Sequence, residues 1–264
     1  MRSLRVSVLP LAALFALAAC QGEAGPARTE LLVSAATSTR DALLALEAEY
    51  EREHAVELVF NFGASGDLAN QIVAAGTADV FLSADEKEMD KVQAAGLIDE
   101  ASRRPLLSNQ LVIVEPADVP SLFQEPFEAR QLAQPALALL SLGDVASVPA
   151  GRYAQAWLEA QGVWSEVEAR ILPGVDVRAA LAAVESGGAG AGIVYRTDAA
   201  RATRVRVVHA VLRAEGPAIS YPLALVGGRP AANEAREFVE FLRSRAAGAA
   251  FEAAGFVFLP ATDG

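Results

Sequence analysis

Short apolar runs alternate with longer amphipathic stretches along most of the chain. The stretch 41–53 places Leu43, Leu46 and Tyr50 at spacings of three and four, which is the period of one face of a helix. Short, mostly apolar runs stand on either side of it, and such runs are typical of buried strands. The pattern predicts strands at 30–35, 56–60, 80–83, 111–114, 191–195, 205–208 and 221–226, and helices at 41–53, 67–75, 85–95, 150–161, 177–186 and 234–245.

The order of these elements predicts the fold class. Strand, helix and strand follow one another, which is typical of an α/β fold whose mostly parallel sheets are flanked by helices. The segment 121–135 has no clear periodicity, and we interpret it as a surface excursion. A second series of elements follows, beginning with an apolar run at 136–140. With 264 residues, the chain is long enough for one large domain or for two lobes with separate cores.

The N-terminal residues have the pattern of a signal peptide. Arg2 and Arg5 precede an apolar run that ends at Ala19, and this run is too short to cross a membrane as a stable helix. The sequence LAAC at 17–20 resembles the lipobox of bacterial lipoproteins, in which the signal is cleaved before a cysteine that then carries lipid. We therefore predict a signal at 1–19, lipidation of Cys20 and a tether at 20–29, with an ordinary secretory signal as the alternative.

The charge of the chain narrows the classes of partner. A formal charge of −11 argues against nucleic acid, and loss of residues 1–19 with their two arginines would bring it to −13. An acidic body also attracts anions poorly, so any anion site must depend on local hydrogen-bond donors. Cys20 is the one cysteine of the sequence, which excludes a disulfide within the chain.

Enzymatic and metal sites find little support in the sequence. Ser65 lies in Gly-Ala-Ser-Gly-Asp at 63–67, which is close to a nucleophile elbow but has Asp67 in place of the second glycine. A serine hydrolase would need His54 or His209 beside Ser65, and both histidines are more typical of surface or element-terminal positions. Two distant histidines and one cysteine give no ligand cluster for a protein-bound metal, and we expect no cofactor.

Several predicted helices begin with residues that suit an anion. The first turn of a helix has free N–H groups and the positive end of the helix dipole. In a doubly wound sheet, such loops gather at the carboxyl ends of the strands. The candidate helix starts are Thr37-Ser38-Thr39, Ala64-Ser65-Gly66, Pro149-Ala150-Gly151 and Asp176-Val177.

These helix starts belong to longer motifs that occur in the same order in a known family. The chain resembles the molybdate-binding proteins of bacterial ABC uptake systems over about residues 30–260. The motifs that carry the resemblance are AATST at 35–39, FGASG at 62–66, ADVFLSAD at 78–85, VPAGRYA at 148–154, DVRAAL at 176–181 and GIVY at 192–195.

The resemblance implies a binding site made of neutral donors. Ser38 and Ser65 would each offer a hydroxyl and a backbone N–H, Ala150 and Val177 their backbone N–H groups, and Tyr195 its phenol. The first loop departs from the family pattern, because Thr37 and Thr39 flank Ser38, so a shift of one residue would make either threonine the donor. We interpret Asp67 and Asp176 as stabilisers of helix N-termini.

The charged neighbours of the loops are assigned a less direct role. We interpret Arg40, Arg152 and Arg178 as solvated helix residues, although each lies close enough in sequence to screen a bound anion.

The resemblance also implies a fold, a function and partners. The fold would be a two-lobed periplasmic-binding-protein clamshell of type II, with lobe 1 at 30–108 and 220–264 and lobe 2 at 109–219. The protein would be a monomeric, lipid-anchored extracytoplasmic binder that delivers molybdate or tungstate to an ABC permease and ATPase. The alternatives are a binder of another anion, such as sulfate, phosphate or an organic anion, and a secreted serine hydrolase that uses Ser65.

Overall fold

The computed structural model describes residues 28–228 and 232–259. The predicted signal segment 1–19, Cys20 and most of the predicted tether lie outside these residues. The strands in the described part are β1 (Thr29–Ala36), β2 (Val56–Gly63), β3 (Val80–Leu82), β4 (Arg104–Ser108), β5 (Leu111–Pro116), β6 (Leu140–Gly143), β7 (Ile171–Gly174), β8 (Ala191–Tyr195), β9 (Val205–Ala210), β10 (Tyr221–Leu225) and β11 (Val257–Phe258). The α-helices there are α1 (Arg40–Glu53), α2 (Ser65–Ala75), α3 (Glu86–Ala94), α4 (Pro149–Ala160), α5 (Trp164–Val167), α6 (Val177–Glu185), α7 (Arg196–Ala199), α8 (Ala232–Leu242) and α9 (Arg245–Ala253).

The strands form two separate sheets, and each sheet with its helices makes one lobe. The first sheet has the order β11-β4-β10-β3-β1-β2, and we call the part of the molecule built on it lobe 1. The second sheet has the order β7-β6-β8-β5-β9 and forms lobe 2. The two-lobed α/β clamshell expected from the sequence is therefore confirmed.

Both sheets are mixed, so the expectation of mostly parallel sheets is wrong. β1 runs parallel to β2 and β3, but β10 runs antiparallel to β3 and β4. In lobe 2, β6 is parallel to β7 and β8, whereas β5 is antiparallel to β8 and β9. A helical crossover within one sheet keeps successive strands parallel, but β5 and β10 each arrive from the other lobe and are free of that constraint.

Apolar faces on both sides of the first sheet account for the positions of its helices. α1 buries Leu43, Leu46 and Tyr50, the same three residues whose spacing predicts a helix. Together with α8 and α9 it packs into the larger core of the molecule, while α2 and α3 cover a smaller core that includes Phe81. The stability of these helices therefore comes mainly from burial of one apolar face, at roughly 25 cal/mol per Å² of apolar surface.

The chain passes between the lobes twice, from β4 to β5 and from β9 to β10. Asn109 stands at the first crossing, where its side-chain amide donates to Thr197 Oγ1 at 3.0 Å and to Tyr221 Oη at 3.2 Å. Thr197 belongs to lobe 2 and Tyr221 opens β10 of lobe 1. One buried side chain thus ties both lobes together at the crossing.

Candidate functional site

The first loop of the site follows β1 and contains Ser38 in a 3₁₀ turn, Thr37–Thr39. Ser38 Oγ lies 3.0 Å from Tyr221 Oη, which also accepts a hydrogen bond from the Asn109 amide. Either hydroxyl can be the donor in the contact between Ser38 and Tyr221. When Tyr221 donates, the hydrogen of Ser38 is available to a ligand.

The second loop follows β2 and places Ser65 at the first position of α2. Ser65 Oγ accepts a hydrogen bond from the backbone N–H of Ala84 at 2.9 Å, which fixes the direction of the hydroxyl. Its hydrogen is left for another acceptor. Ser65 thus has its oxygen engaged by the protein while its donor capacity is unused, and Ser38 is in the same position when Tyr221 donates to it.

Lobe 2 presents the first turns of two helices. Ala150 is the second residue of α4, after Pro149, and Val177 is the first residue of α6. At these positions the backbone N–H has no carbonyl partner within the helix. Gly151 allows α4 to begin this close to β6, since a Cβ at that position would lie 1.9 Å from the carbonyl oxygen of Gly143.

Tyr195 ends β8 and adds a phenol from lobe 2. Tyr195 is 1% exposed, and its buried hydroxyl makes no hydrogen bond of good geometry among the described residues, although it interacts with the nearby Tyr221 hydroxyl. Burial, with smaller contributions from Tyr221, Tyr153 and Asp85, raises the pKa of Tyr195 well above its ordinary value. The phenol is thus a protonated donor that is poorly satisfied within the protein, and such a group is rare in a protein interior.

These residues surround one small cavity between the lobes. The cavity is small, with about 210 Å³ of empty space when the space open to solvent is included. All five residues of the site expected from the sequence line it: Ser38, Ser65, Ala150, Val177 and Tyr195. The remaining lining residues are Ala36, Thr37, Gly63, Ala64, Ala84, Val148, Pro149 and Asp176.

The charge of the wall is low. Among the described residues that line the cavity there is no lysine or arginine, and Asp176 is the one acidic side chain. The Asp176 carboxylate accepts a hydrogen bond from the N–H of Ala179 at 2.8 Å and thereby caps α6. The expected role of Asp176 at a helix N-terminus is therefore confirmed. Asp67 likewise lies in the first turn of α2.

The two threonines beside Ser38 differ in position. Thr37 lines the cavity with Ser38. The Thr39 hydroxyl donates to the carbonyl oxygen of Ala36 at 2.7 Å, and Thr39 is absent from the cavity wall. The alternative in which Thr39 supplies the donor therefore has no support in the geometry.

The arginines beside the loops do not all behave as the sequence suggests. Arg40 is exposed and lies over the ring of Phe62. In contrast, Arg152 contacts Asp85 and Arg178 contacts Asp41, each at 2.6 Å, so the expectation that these two are merely solvated is wrong. Their acidic partners were missed because 67 and 137 residues separate the members of the two pairs, a distance that no local pattern spans.

A serine hydrolase would need a histidine beside Ser65 to act as general base, and the described chain places neither histidine there. His54 Nδ1 lies 3.0 Å from the carbonyl oxygen of Tyr50, and His209 stacks on Phe127. Within the described chain, neither histidine forms a hydrogen bond with Ser65, whose hydroxyl contacts Ala84 instead. The same residues include no group of three or more His, Cys, Asp or Glu side chains arranged to hold a metal ion.

Among the described residues, no helix has both the length and the apolar character that crossing a membrane requires.

Known solute-binding proteins are similar to this chain over nearly its whole described length. Residues 31–257 match the family described as "Bacterial extracellular solute-binding protein". The molybdate-binding protein ModA of Escherichia coli is 36% identical over 228 residues, which cover 86% of this chain and 88% of ModA. YvgL of Bacillus subtilis, named as a candidate ABC transporter substrate-binding lipoprotein, is 34% identical over 259 residues, covering 95% and 96% of the two chains.

A solved structure shows the same fold. The periplasmic molybdate-binding protein of Azotobacter vinelandii superposes with a TM-score of 0.75 at 24% identity. The match covers 87% of this chain and 99% of that protein.

Proposed function

Because this chain belongs to the bacterial extracellular solute-binding proteins, and among them to the molybdate-binding proteins, we propose that it captures molybdate or tungstate outside the cytoplasm for an ABC importer. The family makes it a substrate-binding component of an ABC transporter, whose permease and ATPase are then its partners. The choice of ion is our inference. The observation that carries it is the convergence of neutral donors from both lobes on one small cavity.

The donor set matches the chemistry of a tetrahedral dianion. The four oxygens of molybdate only accept hydrogen bonds, and the resemblance implies a set of three hydroxyls together with the backbone N–H groups of the two serines, Ala150 and Val177. Hydrogen bonds to a charged group contribute roughly 1.5–3 kcal/mol each. After desolvation and closure of the lobes, such a set is sufficient for a dissociation constant between about 1 μM and 1 nM.

The helix termini add a favourable field without a cationic side chain. α2 from lobe 1 and α4 and α6 from lobe 2 all begin at the cavity, and each N-terminus carries about half a positive charge. This arrangement resolves the conflict between an acidic body and an anionic ligand, because the attraction is local.

Size and protonation provide the basis for selectivity. Sulfate has the same charge and shape but is smaller, so donors spaced for molybdate do not close fully on it. Phosphate near neutral pH keeps a proton and needs an acceptor. The one carboxylate in the described wall is that of Asp176, and its Oδ1 atom is occupied by the N–H of Ala179.

We further propose that the lobe boundaries lie at 108/109 and 219/220. The strands of lobe 1 come from β1 to β4 and from β10 and β11, whereas those of lobe 2 run from β5 to β9. Ligand contacts from both sides of such a division favour the closed state, which a transporter recognises as loaded. We expect the loaded protein to be a monomer.

The lipid anchor is a separate proposal. Its support is the LAAC sequence at 17–20 and the similarity to YvgL, which is named as a lipoprotein. Replacement Cys20→Ser in the native host is expected to release the protein from the membrane fraction. Retention of the variant in that fraction would show that the anchor is not at Cys20.

Calorimetric titration of the purified protein tests the choice of ligand. Molybdate and tungstate are expected to bind at micromolar concentrations or below, with sulfate and phosphate at least about tenfold weaker, which corresponds to ~1.4 kcal/mol. A competition titration between molybdate and tungstate then ranks the two ions. The proposal is wrong if neither ion binds at about 0.1 mM, the level at which even a modest site would fill.

A further inference from the structure

Two arginines lie beside the proposed donors and yet stay out of the cavity. Arg152 comes two residues after Ala150 in α4, and Arg178 directly follows Val177 in α6. Neither lines the cavity. Each side chain instead extends from lobe 2 to carboxylates of lobe 1, so the two helices that face the anion also carry the ion pairs that join the lobes.

Arg152 forms the more buried of the two connections. Its Nε and Nη2 lie 3.0 and 2.6 Å from Asp85 Oδ2, and Nη2 lies 3.0 Å from Glu88 Oε1. The Arg152 side chain is 15% exposed, and those of Asp85 and Glu88 are 7% and 4% exposed. A pair this dry is little screened, so its attraction in the closed state is stronger than that of an exposed pair, although separation of the lobes returns both charges to water.

Arg178 forms a second connection with Asp41 at the start of α1. Its Nη2 lies 2.6 Å from Asp41 Oδ2, and Arg201 of lobe 2 approaches the same oxygen at 3.0 Å. Arg178 Nε also lies 3.5 Å from Asp198 Oδ1 within its own lobe. These side chains border an open depression and are more exposed than those around Arg152, so this connection is more strongly screened.

Separation of the lobes would break both connections at once. Asp41, Asp85 and Glu88 would leave with lobe 1, while Arg152 and Arg178 would stay on lobe 2 beside the N–H groups of Ala150 and Val177. The open cleft would then present two arginines with fewer partners next to half of the donor set. Local positive charge of this kind speeds the encounter with an anion even when the whole protein is acidic.

We propose that Arg152 and Arg178 are positioning residues that change partners during binding: they attract the dianion to the open cleft and then, on closure, pair with lobe 1 and retain it. This inference rests on the proposed function. It explains why cationic residues stand beside a cavity whose wall is uncharged except for Asp176. The ion itself contacts neutral donors, while the ion pairs beside the cavity act on the position of the lobes.

Two kinds of variant give the test, because both are expected to speed release of the ion but only the arginine variants are expected to slow its association. Protein loaded with molybdate is mixed with excess tungstate, and the bound molybdenum is followed by elemental mass spectrometry after rapid desalting. Asp41→Asn and Asp85→Asn are expected to speed the release of molybdate by about tenfold, equivalent to ~1.4 kcal/mol, without slowing association. The Asp85→Asn variant keeps a side-chain oxygen that can cap α3, so that helix is retained.

The arginine variants are expected to differ from the carboxylate variants in the rate at which they associate with the ion. Arg152→Gln and Arg178→Gln should speed release similarly and also slow association by about two- to fivefold at low salt. Arg152→Lys keeps the charge, so it should associate normally and lose only part of the retention. Arg130→Gln is the matched control, since the Arg130–Glu166 pair lies entirely within lobe 2.

The outcomes separate this inference from the proposed function. Slower release or tighter binding in Asp41→Asn and Asp85→Asn would overturn the inference, because it would mean that the carboxylates only weaken the attraction of the arginines for the anion. Release rates equal to that of Arg130→Gln would overturn it as well. If the unaltered protein binds neither molybdate nor tungstate, the proposed function fails and this inference fails with it.

Discussion

The backbone nitrogen of Gly66 donates a hydrogen bond to the carbonyl oxygen of Ser147 at 3.1 Å, and this contact joins lobe 1 to lobe 2 beside the cavity. Gly66 directly follows Ser65, and Ser147 precedes the start of α4. A Cβ on Gly66 would lie 2.4 Å from the Ser147 oxygen, and the next nearest atoms also belong to Ser147. The absence of a side chain at position 66 is therefore a condition for closure of the lobes.

Gly66→Ala is expected to weaken molybdate binding at least about tenfold, or ~1.4 kcal/mol, because the clash arises only when the lobes meet. The ligand-free protein should keep its stability, since alanine is well tolerated in a helix. Calorimetry and urea unfolding measure the two effects. Gly227→Ala is the control, because its Cβ would lie 3.8 Å from the nearest atom, the Leu97 oxygen. Equal affinities of the two variants would contradict the requirement for close approach.

Tyr195→Phe is expected to weaken molybdate binding by about 1–3 kcal/mol while leaving the ligand-free protein equally or more stable. The reason is that the buried hydroxyl makes no hydrogen bond of good geometry within the described chain and would gain one from the ion. Tyr50→Phe is a matched control, because the Tyr50 hydroxyl is also buried without a partner in the described chain but lies away from the cavity. An unchanged affinity in Tyr195→Phe would remove the phenol from the site.

Ser65→Ala is expected to reduce both affinity and stability. The variant loses a donor to the ion, at about 1–3 kcal/mol, and it also leaves the N–H of Ala84 without its acceptor. Calorimetric titration and unfolding of the ligand-free protein distinguish these two effects. If stability falls while affinity is unchanged, Ser65 has a structural role only.

Asp198 is expected to make stability depend on pH. Burial raises its pKa from the ordinary value of 3.8 to about 7, and Arg178 opposes the rise while Asp176 and Asp41 add to it. Between these two pKa values the folded protein binds a proton that the unfolded chain releases. The contribution of protonated Asp198 to the free energy of unfolding is therefore full below pH 4 and is lost as the pH rises through 7.

The variant Asp198→Asn isolates this effect from the other titrating groups. Its unfolding free energy relative to the unaltered protein should increase by on the order of 2 kcal/mol between pH 5 and pH 8. Urea unfolding of both proteins at the two pH values measures the difference. A difference that is constant with pH would show that Asp198 stays ionised throughout.

Elements with a strong apolar period were predictable from the sequence. The helix expected at 177–186 is α6, and the strand expected at 191–195 is β8, with bounds that agree to within one residue. Among the elements missed, α9 has an alanine-rich face with few large residues, and β4 begins with two exposed residues, one of them Pro105. Weak apolar contrast leaves such segments without a periodic signal.

The site was predictable only through the motifs around it. A helix start with Ser65 or Val177 is ordinary by itself, and the family resemblance supplied the combination. Contacts made by distant residues could not be predicted, because the position of Tyr221 behind Ser38 depends on the strand order of lobe 1 and that of Asp41 beside Arg178 on how the lobes pack. The antiparallel direction of β5 and β10 could not be predicted either, because it depends on the path that the chain takes between the two sheets.

The side-chain amide of Asn109 connects the strand crossing between the lobes to the first loop of the site. It donates a hydrogen bond to Tyr221, whose hydroxyl in turn contacts Ser38. Rotation of one lobe against the other at this crossing would act on the hydrogen bonds that Asn109 donates to Thr197 and Tyr221. Because Tyr221 also contacts Ser38, the relative position of the lobes and the orientation of the first proposed donor are coupled through one buried amide.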